Sequence, residues 1–252
     1  MQIKHKRVIL LILAAAIGLM SIRLLFTVFP QKVAKIETSQ GISYISEQEA
    51  KSATRPKTTK KESKTKKHKR LKIKNNNYKA AFKDILIVGD SLTYAIYEYG
   101  ILDKDQVFGQ VGGTTIYLDE TIKKIVKENP KYLVLHFGEN ELGKKSYADI
   151  YINRYKKCIK TLKKKLPDTE IYVDSIFPVE KKAHKSEPYT KNISYYNEKL
   201  KKMAKELGVK YIDFTPEFKS YKKNYYDADG IHPKYSFYTE QYLPYVYTEV
   251  MS

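Results

Sequence analysis

From residue 78 onward the chain alternates short apolar runs with longer stretches of helical period. Runs at 85–88 (ILIV), 132–137 (YLVLHF), 171–177 (IYVDSIF) and 209–214 (VKYIDF) are rich in β-branched and aromatic residues, with a weaker run at 106–111. Between them, Ile116, Ile122, Ile125 and Val126 share one helical face, and Tyr155, Ile159, Leu162 and Leu166 share another. A third stripe, Leu200, Met203, Ala204 and Leu207, runs into Gly208, a residue suited to a left-handed helix stop. Strands of this kind alternating with helices predict a parallel sheet covered on both faces, an α/β three-layer sandwich over residues 78–252. No internal repeat is visible.

The N-terminal third has a different pattern. Residues 8–29 are almost wholly apolar, interrupted by Arg23, and at 1.5 Å per residue they span about 33 Å, the hydrocarbon thickness of a bilayer. Lys4, Lys6 and Arg7 precede the run. The expectation is a cytoplasmic tail (1–7), a single transmembrane helix (8–29) and a body outside the cell. A cleaved signal peptide is the alternative, although nothing convincing of the small-x-small kind follows Phe29. Residues 30–77 are dense in lysine and poor in apolar side chains, which predicts a disordered basic tether. It reads either as a solvated spacer or as an electrostatic contact to an anionic wall polymer.

Charge supports this division. The formal net charge is +19, but residues 1–77 carry 18 basic against 4 acidic side chains, and residues 78–252 carry 29 against 24. A nearly balanced body on a basic tail argues against a nucleic-acid-binding domain. The single cysteine, Cys158, excludes an intrachain disulfide and a multi-cysteine zinc site, and its place on an apolar stripe predicts a small buried hydrophobe.

Ligands of open α/β sheets bind beyond the carboxyl ends of the strands, so the residues after each apolar run are the informative ones. They are Gly89-Asp90-Ser91-Leu92, Gly112-Gly113-Thr114-Thr115, Gly138-Glu139-Asn140-Glu141 and, near the C-terminus, Asp229-Gly230-Ile231-His232-Pro233. A serine on a strand-to-helix turn exposes its hydroxyl at the sheet rim, and it needs a base to become a nucleophile. His232 is the candidate base, and Asp229, three residues earlier, is placed to hold one imidazole nitrogen. Ser91 N–H, Gly112 N–H and the Asn140 amide are the natural donors for a tetrahedral oxyanion, with Gly113 the alternative one residue on. The Gly-x-Ser-x-Gly elbow is absent. His136 is expected to be a packed core residue and His184 a solvated one. Tyr189, Tyr195, Tyr196, Tyr225, Tyr226 and Tyr235 read either as a sugar-stacking rim or as core.

These four blocks resemble the SGNH (GDSL) hydrolase superfamily. Gly89-Asp90-Ser91-Leu92 matches its first block, Gly112 its second, Gly138-x-Asn140 its third and Asp229-x-x-His232 its fifth. The resemblance covers roughly residues 82–250 and implies a flavodoxin-like, mainly parallel sheet. It also implies a Ser91-His232-Asp229 triad and an oxyanion hole of Ser91, Gly112 and Asn140. Glu141 departs from the third block, which usually ends in Asp, and is expected to alter local hydrogen bonding rather than chemistry.

The expected protein is an extracytoplasmic serine esterase cleaving O-acyl, especially acetyl, esters on carbohydrate or cell-surface glycans. No metal or organic cofactor and no nucleic-acid partner is expected. Acyl transfer, lysophospholipase or thioesterase action would use the same triad. A non-catalytic cationic wall-binding protein is the rival of another class.

Overall fold

The computed structural model describes residues 70–218 and 224–252. The predicted tail (1–7), anchor (8–29) and most of the tether lie outside them. Among the described residues no helix is long and apolar enough to cross a membrane.

Five strands form one parallel sheet: β1 (Ile85–Gly89), β2 (Val107–Gly109), β3 (Tyr132–His136), β4 (Glu170–Asp174) and β5 (Lys210–Ile212), in the order β2-β1-β3-β4-β5. The order reverses beside β1, and such a switch point opens a crevice at the strand ends. The register sets what meets there. Gly89 pairs with His136, so the first and third blocks leave the sheet side by side at the same level.

The strands are apolar on both faces because both are covered. Leu86, Val88, Leu133, Leu135, Ile171 and Val173 pack with α2 (Thr115–Glu128), α3 (Ala148–Lys165) and α4 (Ile193–Leu207). Ile85, Ile87, Val134, Tyr172 and Ile212 face the other way, onto α1 (Ser91–Glu98) and α5 (Leu243–Met251). Each fully buried aliphatic or aromatic side chain contributes about 1.5–3 kcal/mol, set against the entropy of ordering the chain. The helix stops follow local chemistry. Asn129 ends α2 and Gly208 ends α4, both in the left-handed region (φ 48° and 61°).

Several expectations change in detail. The run 171–177 yields a strand only to Asp174, because side chains then replace the ladder. Ile176 N–H donates to Asn197 Oδ1 (2.8 Å), and Phe177 N–H donates to Glu139 Oε1 (3.0 Å). Ile116 does not share the buried face of α2. It stands in the first turn, 52% exposed, and the stripe begins at Leu118. Of the six tyrosines, Tyr196, Tyr225 and Tyr226 are buried, while Tyr189 and Tyr235 are exposed. The end of the tether lies against the body: Arg70 bonds to Gln241 and Glu217, and Leu71 N–H donates to Thr248 Oγ1 (2.9 Å). Cys158 is buried, as its stripe implied.

Candidate active site

The first block is built around close backbone approach. A Cβ on Gly89 would stand 2.1 Å from Thr93 Oγ1 and 2.4 Å from the His136 carbonyl, so only glycine lets β1 and β3 end together there. Asp90 is then the N-cap of α1, its Oδ1 accepting from Leu92 N–H (2.9 Å). Ser91 follows as the first helical residue, half-buried at the carboxyl edge of the sheet.

The third block turns at Gly138, whose φ of +142° is a backbone conformation that L side chains avoid. Residues Glu139–Glu141 make one 3₁₀ turn. There Asn140 Nδ2 donates to the Gly113 carbonyl (3.0 Å), which leaves its second N–H for another acceptor. The Gly113 N–H is already spent on Gln110 O (2.9 Å), whereas among the described residues Gly112 N–H makes no hydrogen bond. Of the two, Gly112 N–H is the one left open to an outside acceptor.

Glu141 takes the local role expected of it. Its carboxylate accepts from Thr115 N–H (3.2 Å), Thr115 Oγ1 (2.6 Å) and Arg154 (3.4 Å), tying the third block to the start of α2. Burial pushes its acid up, against those hydrogen bonds. Glu141→Ala leaves the buried Thr115 hydroxyl without its acceptor and is expected to cost about 1–3 kcal/mol, read from denaturant midpoints.

The fifth block is a tight turn that carries its own support. Asp229 Oδ1 accepts from the N–H groups of Ile231 (2.8 Å) and His232 (3.0 Å), and its Oδ2 meets His232 Nδ1 at 2.6 Å. Partial burial opposes ionisation of Asp229, but these bonds outweigh it and hold the carboxyl below its ordinary value. The loop is fastened to the segment after β4 by Glu180 N–H donating to Gly230 O (2.9 Å).

Ser91, Asn140 and His232 line one cavity of about 370 Å³, together with Leu92, Glu139, Leu142, Val179, Glu187, Tyr189, Thr190, Ile193 and Ile231. Asp229 stands behind the His232 ring; Gly112 does not line this cavity. Among the described residues no hydrogen bond joins Ser91 Oγ to His232, which is 54% exposed at its side chain. Such bonds are often loose without substrate and tighten in the complex.

Sequence reasoning missed two features. His184 is not simply solvated: its Nδ1 meets Thr190 Oγ1 (2.7 Å), and it lines a neighbouring cavity of about 400 Å³. The second is a buried cluster behind the serine. His136 lies between Asp174 (Nδ1 to Oδ2, 3.2 Å) and Glu139 (Nε2 to Oε1, 3.3 Å), and Asp90, His136 and Glu139 bring ligand-type atoms within 4.8 Å of one another. Burial disfavours a charged His136 ring, yet Glu139 and Asp174 together hold its pKa well above the ordinary value. Burial likewise opposes ionisation of Glu139, but the His136 charge and several hydrogen bonds bring it down to about 2.

Residues 87–239 match the GDSL-like lipase/acylhydrolase family. The chain belongs to this family. It is accordingly a carboxylic ester hydrolase by class. No curated protein matches its sequence. Among solved structures, a GDSL-like lipase from Bacteroides thetaiotaomicron is similar in fold at 14% identity and a TM-score of 0.51, covering 70% of this chain and 99% of that one. The acetyl xylan esterase AlAXEase is similar at 17% identity and a TM-score of 0.51, covering 66% of this chain and all (100%) of that one. The GDSL-family match spans β1 to the residues just before α5, and so includes all four blocks.

Proposed function

We propose that this GDSL-family hydrolase is a membrane-anchored serine esterase, acting outside the cell on O-acetyl or other short O-acyl esters of carbohydrate or surface glycan. Ser91 attacks the ester carbonyl, His232 takes its proton and returns it to the leaving alcohol, and Asp229 orients the ring. Water, activated by His232, then releases the acyl group. Ser91 N–H, Gly112 N–H and the Asn140 amide receive the oxyanion. The observation that carries this reading is the meeting of Ser91, Asn140 and His232 at one cavity, with a carboxylate 2.6 Å from the far imidazole nitrogen.

The substrate class is supported by the cavity walls. Leu92, Leu142, Val179, Ile193 and Ile231 offer an apolar lining for a small acyl group, while Glu187 and the exposed Tyr189 offer hydrogen bonding and a ring face to a sugar. An acetyl ester on a polysaccharide is also what AlAXEase is named for. The location is supported by the apolar run 8–29 behind Lys4, Lys6 and Arg7.

A fluorophosphonate probe tests the chemistry on the full-length protein. Wild type is expected to be labelled and Ser91→Ala is not; an unlabelled wild type rejects the esterase in favour of an inert wall-binding domain. Acetylated glycans compared with short-chain aryl esters then test the substrate class, and protease added to intact cells should degrade the body if it lies outside. Asn140→Ala is expected to lower kcat by about 10²–10³-fold with little change in KM, as removal of one oxyanion donor does.

A further inference from the structure

Four ionisable side chains that this reaction does not use adjoin the nucleophile and the oxyanion turn. They are Asp90, His136, Glu139 and Asp174; the first, second and fourth are at most 1% exposed. They form a chain from β4 to the N-cap of α1: Asp174 to His136 (3.2 Å), His136 to Glu139 (3.3 Å), Glu139 to Asp90 (carboxyl oxygens within 4.8 Å), and Asp90 to Leu92 N–H (2.9 Å). One link does not balance with all carboxyls ionised. Asp90 Oδ2 and Glu139 Oε2 are both buried, and neither has a donor among the described residues. Ionised carboxylates only accept, and two of them side by side in a dry interior cannot both stay charged.

We propose that Asp90 is a positioning residue which, as a neutral acid, donates from Oδ2 to the Glu139 carboxylate and so locks the nucleophile turn to the oxyanion turn. Glu139 is the acceptor because its Oε1 already has what an anion needs, the Phe177 N–H (3.0 Å) and the His136 ring with Nε2 at 3.3 Å. Asp90 has the opposite surroundings: burial first, and then the Glu139 charge, push its acid well above the carboxylate range, with His136 only partly offsetting them. The groups facing Asp90 are Glu139 and His136, with the neutral phenols of Tyr155 and Tyr238 nearby, while Asp174 and Tyr242 stand behind His136. Asp90 immediately precedes Ser91 and Glu139 immediately precedes Asn140, so this one proton fixes the spacing of nucleophile and oxyanion donor.

The inference rests on the serine-esterase reading for its kinetic part and on the buried Asp90–Glu139 carboxyl pair, without that reading, for its stability part. Asparagine at 90 keeps both functions of the neutral acid, an oxygen for Leu92 N–H and a donor for Glu139; alanine keeps neither. In the full-length protein with a short-chain aryl ester, Asp90→Ala is expected to lower kcat by about 10²-fold with KM nearly unchanged, the scale of a misplaced reacting group. Asp90→Asn is expected to restore most of that loss and to keep its activity as pH rises through the ionisation of Asp90, where wild type declines. The melting midpoint reports the same proton without catalysis. A group whose folded pKa is raised lends stability that is lost as pH climbs, so wild type should fall progressively below Asp90→Asn from the ordinary carboxylate range up through the raised Asp90 ionisation. If Asp90→Asn is as impaired as Asp90→Ala at neutral pH, an ionised carboxylate is required, as for a bound cation, and the proposal fails. Superimposable pH–rate and pH–melting profiles for wild type and Asp90→Asn overturn it equally. A wild type with no esterase activity but the expected melting difference rejects the enzyme reading and leaves the shared proton in place.

Discussion

Ser91→Ala is expected to remove turnover almost completely, with kcat falling by about 10⁶-fold and KM little changed. The size follows from the site. Ser91 is the hydroxyl on the turn between β1 and α1, at the carboxyl edge where Asn140 and His232 line the same cavity. Without it the remaining donors can still polarise a bound ester, so a residual rate above the uncatalysed one should persist. The fold should not suffer. Among the described residues the Ser91 hydroxyl makes no hydrogen bond, and alanine is at least as good a helix former in the first turn of α1. The melting midpoint should therefore stay within the small range of neutral surface changes, about 0.5 kcal/mol. Steady-state kinetics and probe labelling on the same preparation make the check. Full activity in a well-folded Ser91→Ala protein would place the nucleophile elsewhere and remove the reason for the His232 and Asn140 assignments.

The sequence made the sheet and its rim legible because both are local. Apolar runs of strand length marked β1 and β3 within a residue or two, and the residues after them became the site. Gly89, Gly138 and Gly208 could be placed in advance, since tight turns demand residues without a Cβ. The shorter strands were overestimated for a different reason. At 176–177 the apolar pattern continues, but Asn197 and Glu139 take over the backbone bonds, and no pattern in the run itself signals that. The buried cluster was hidden most fully. Asp90, His136, Glu139 and Asp174 come from three separate stretches, and Glu139 occupies the variable place in Gly-x-Asn. Only the Gly89–His136 register brings a carboxyl from the first block against one from the third. His136 was rightly read as packed, yet its two carboxylate neighbours could not be named from periodicity.

Asp229→Asn should be the second most damaging change, lowering kcat by about 10²–10⁴-fold while leaving the turn folded. An asparagine has one acceptor oxygen. The two backbone N–H groups of Ile231 and His232 claim it, at the place where Oδ1 now receives them at 2.8 and 3.0 Å. The amide nitrogen then faces His232 Nδ1, where Oδ2 stands at 2.6 Å. Facing a donor, Nδ1 must be the bare nitrogen, so the proton moves to Nε2, the atom that has to accept from Ser91. The base is thereby blocked by its own tautomer. The loss lies toward the lower end if water competes at this site, since the Asp229 side chain is 44% exposed and its field is screened. Asp229→Ala makes the contrast, because it frees the ring and also strips two backbone bonds from the loop. It should lower the melting midpoint where Asp229→Asn does not. The acid limb of kcat/KM carries a further sign. With the hydrogen bonds of the turn holding Asp229 below the ordinary carboxylate range, the orienting charge persists into acid, so Asp229 should add no proton of its own to that limb. A two-proton acid limb, or an Asp229→Asn enzyme as fast as wild type, would mean that another group orients the ring.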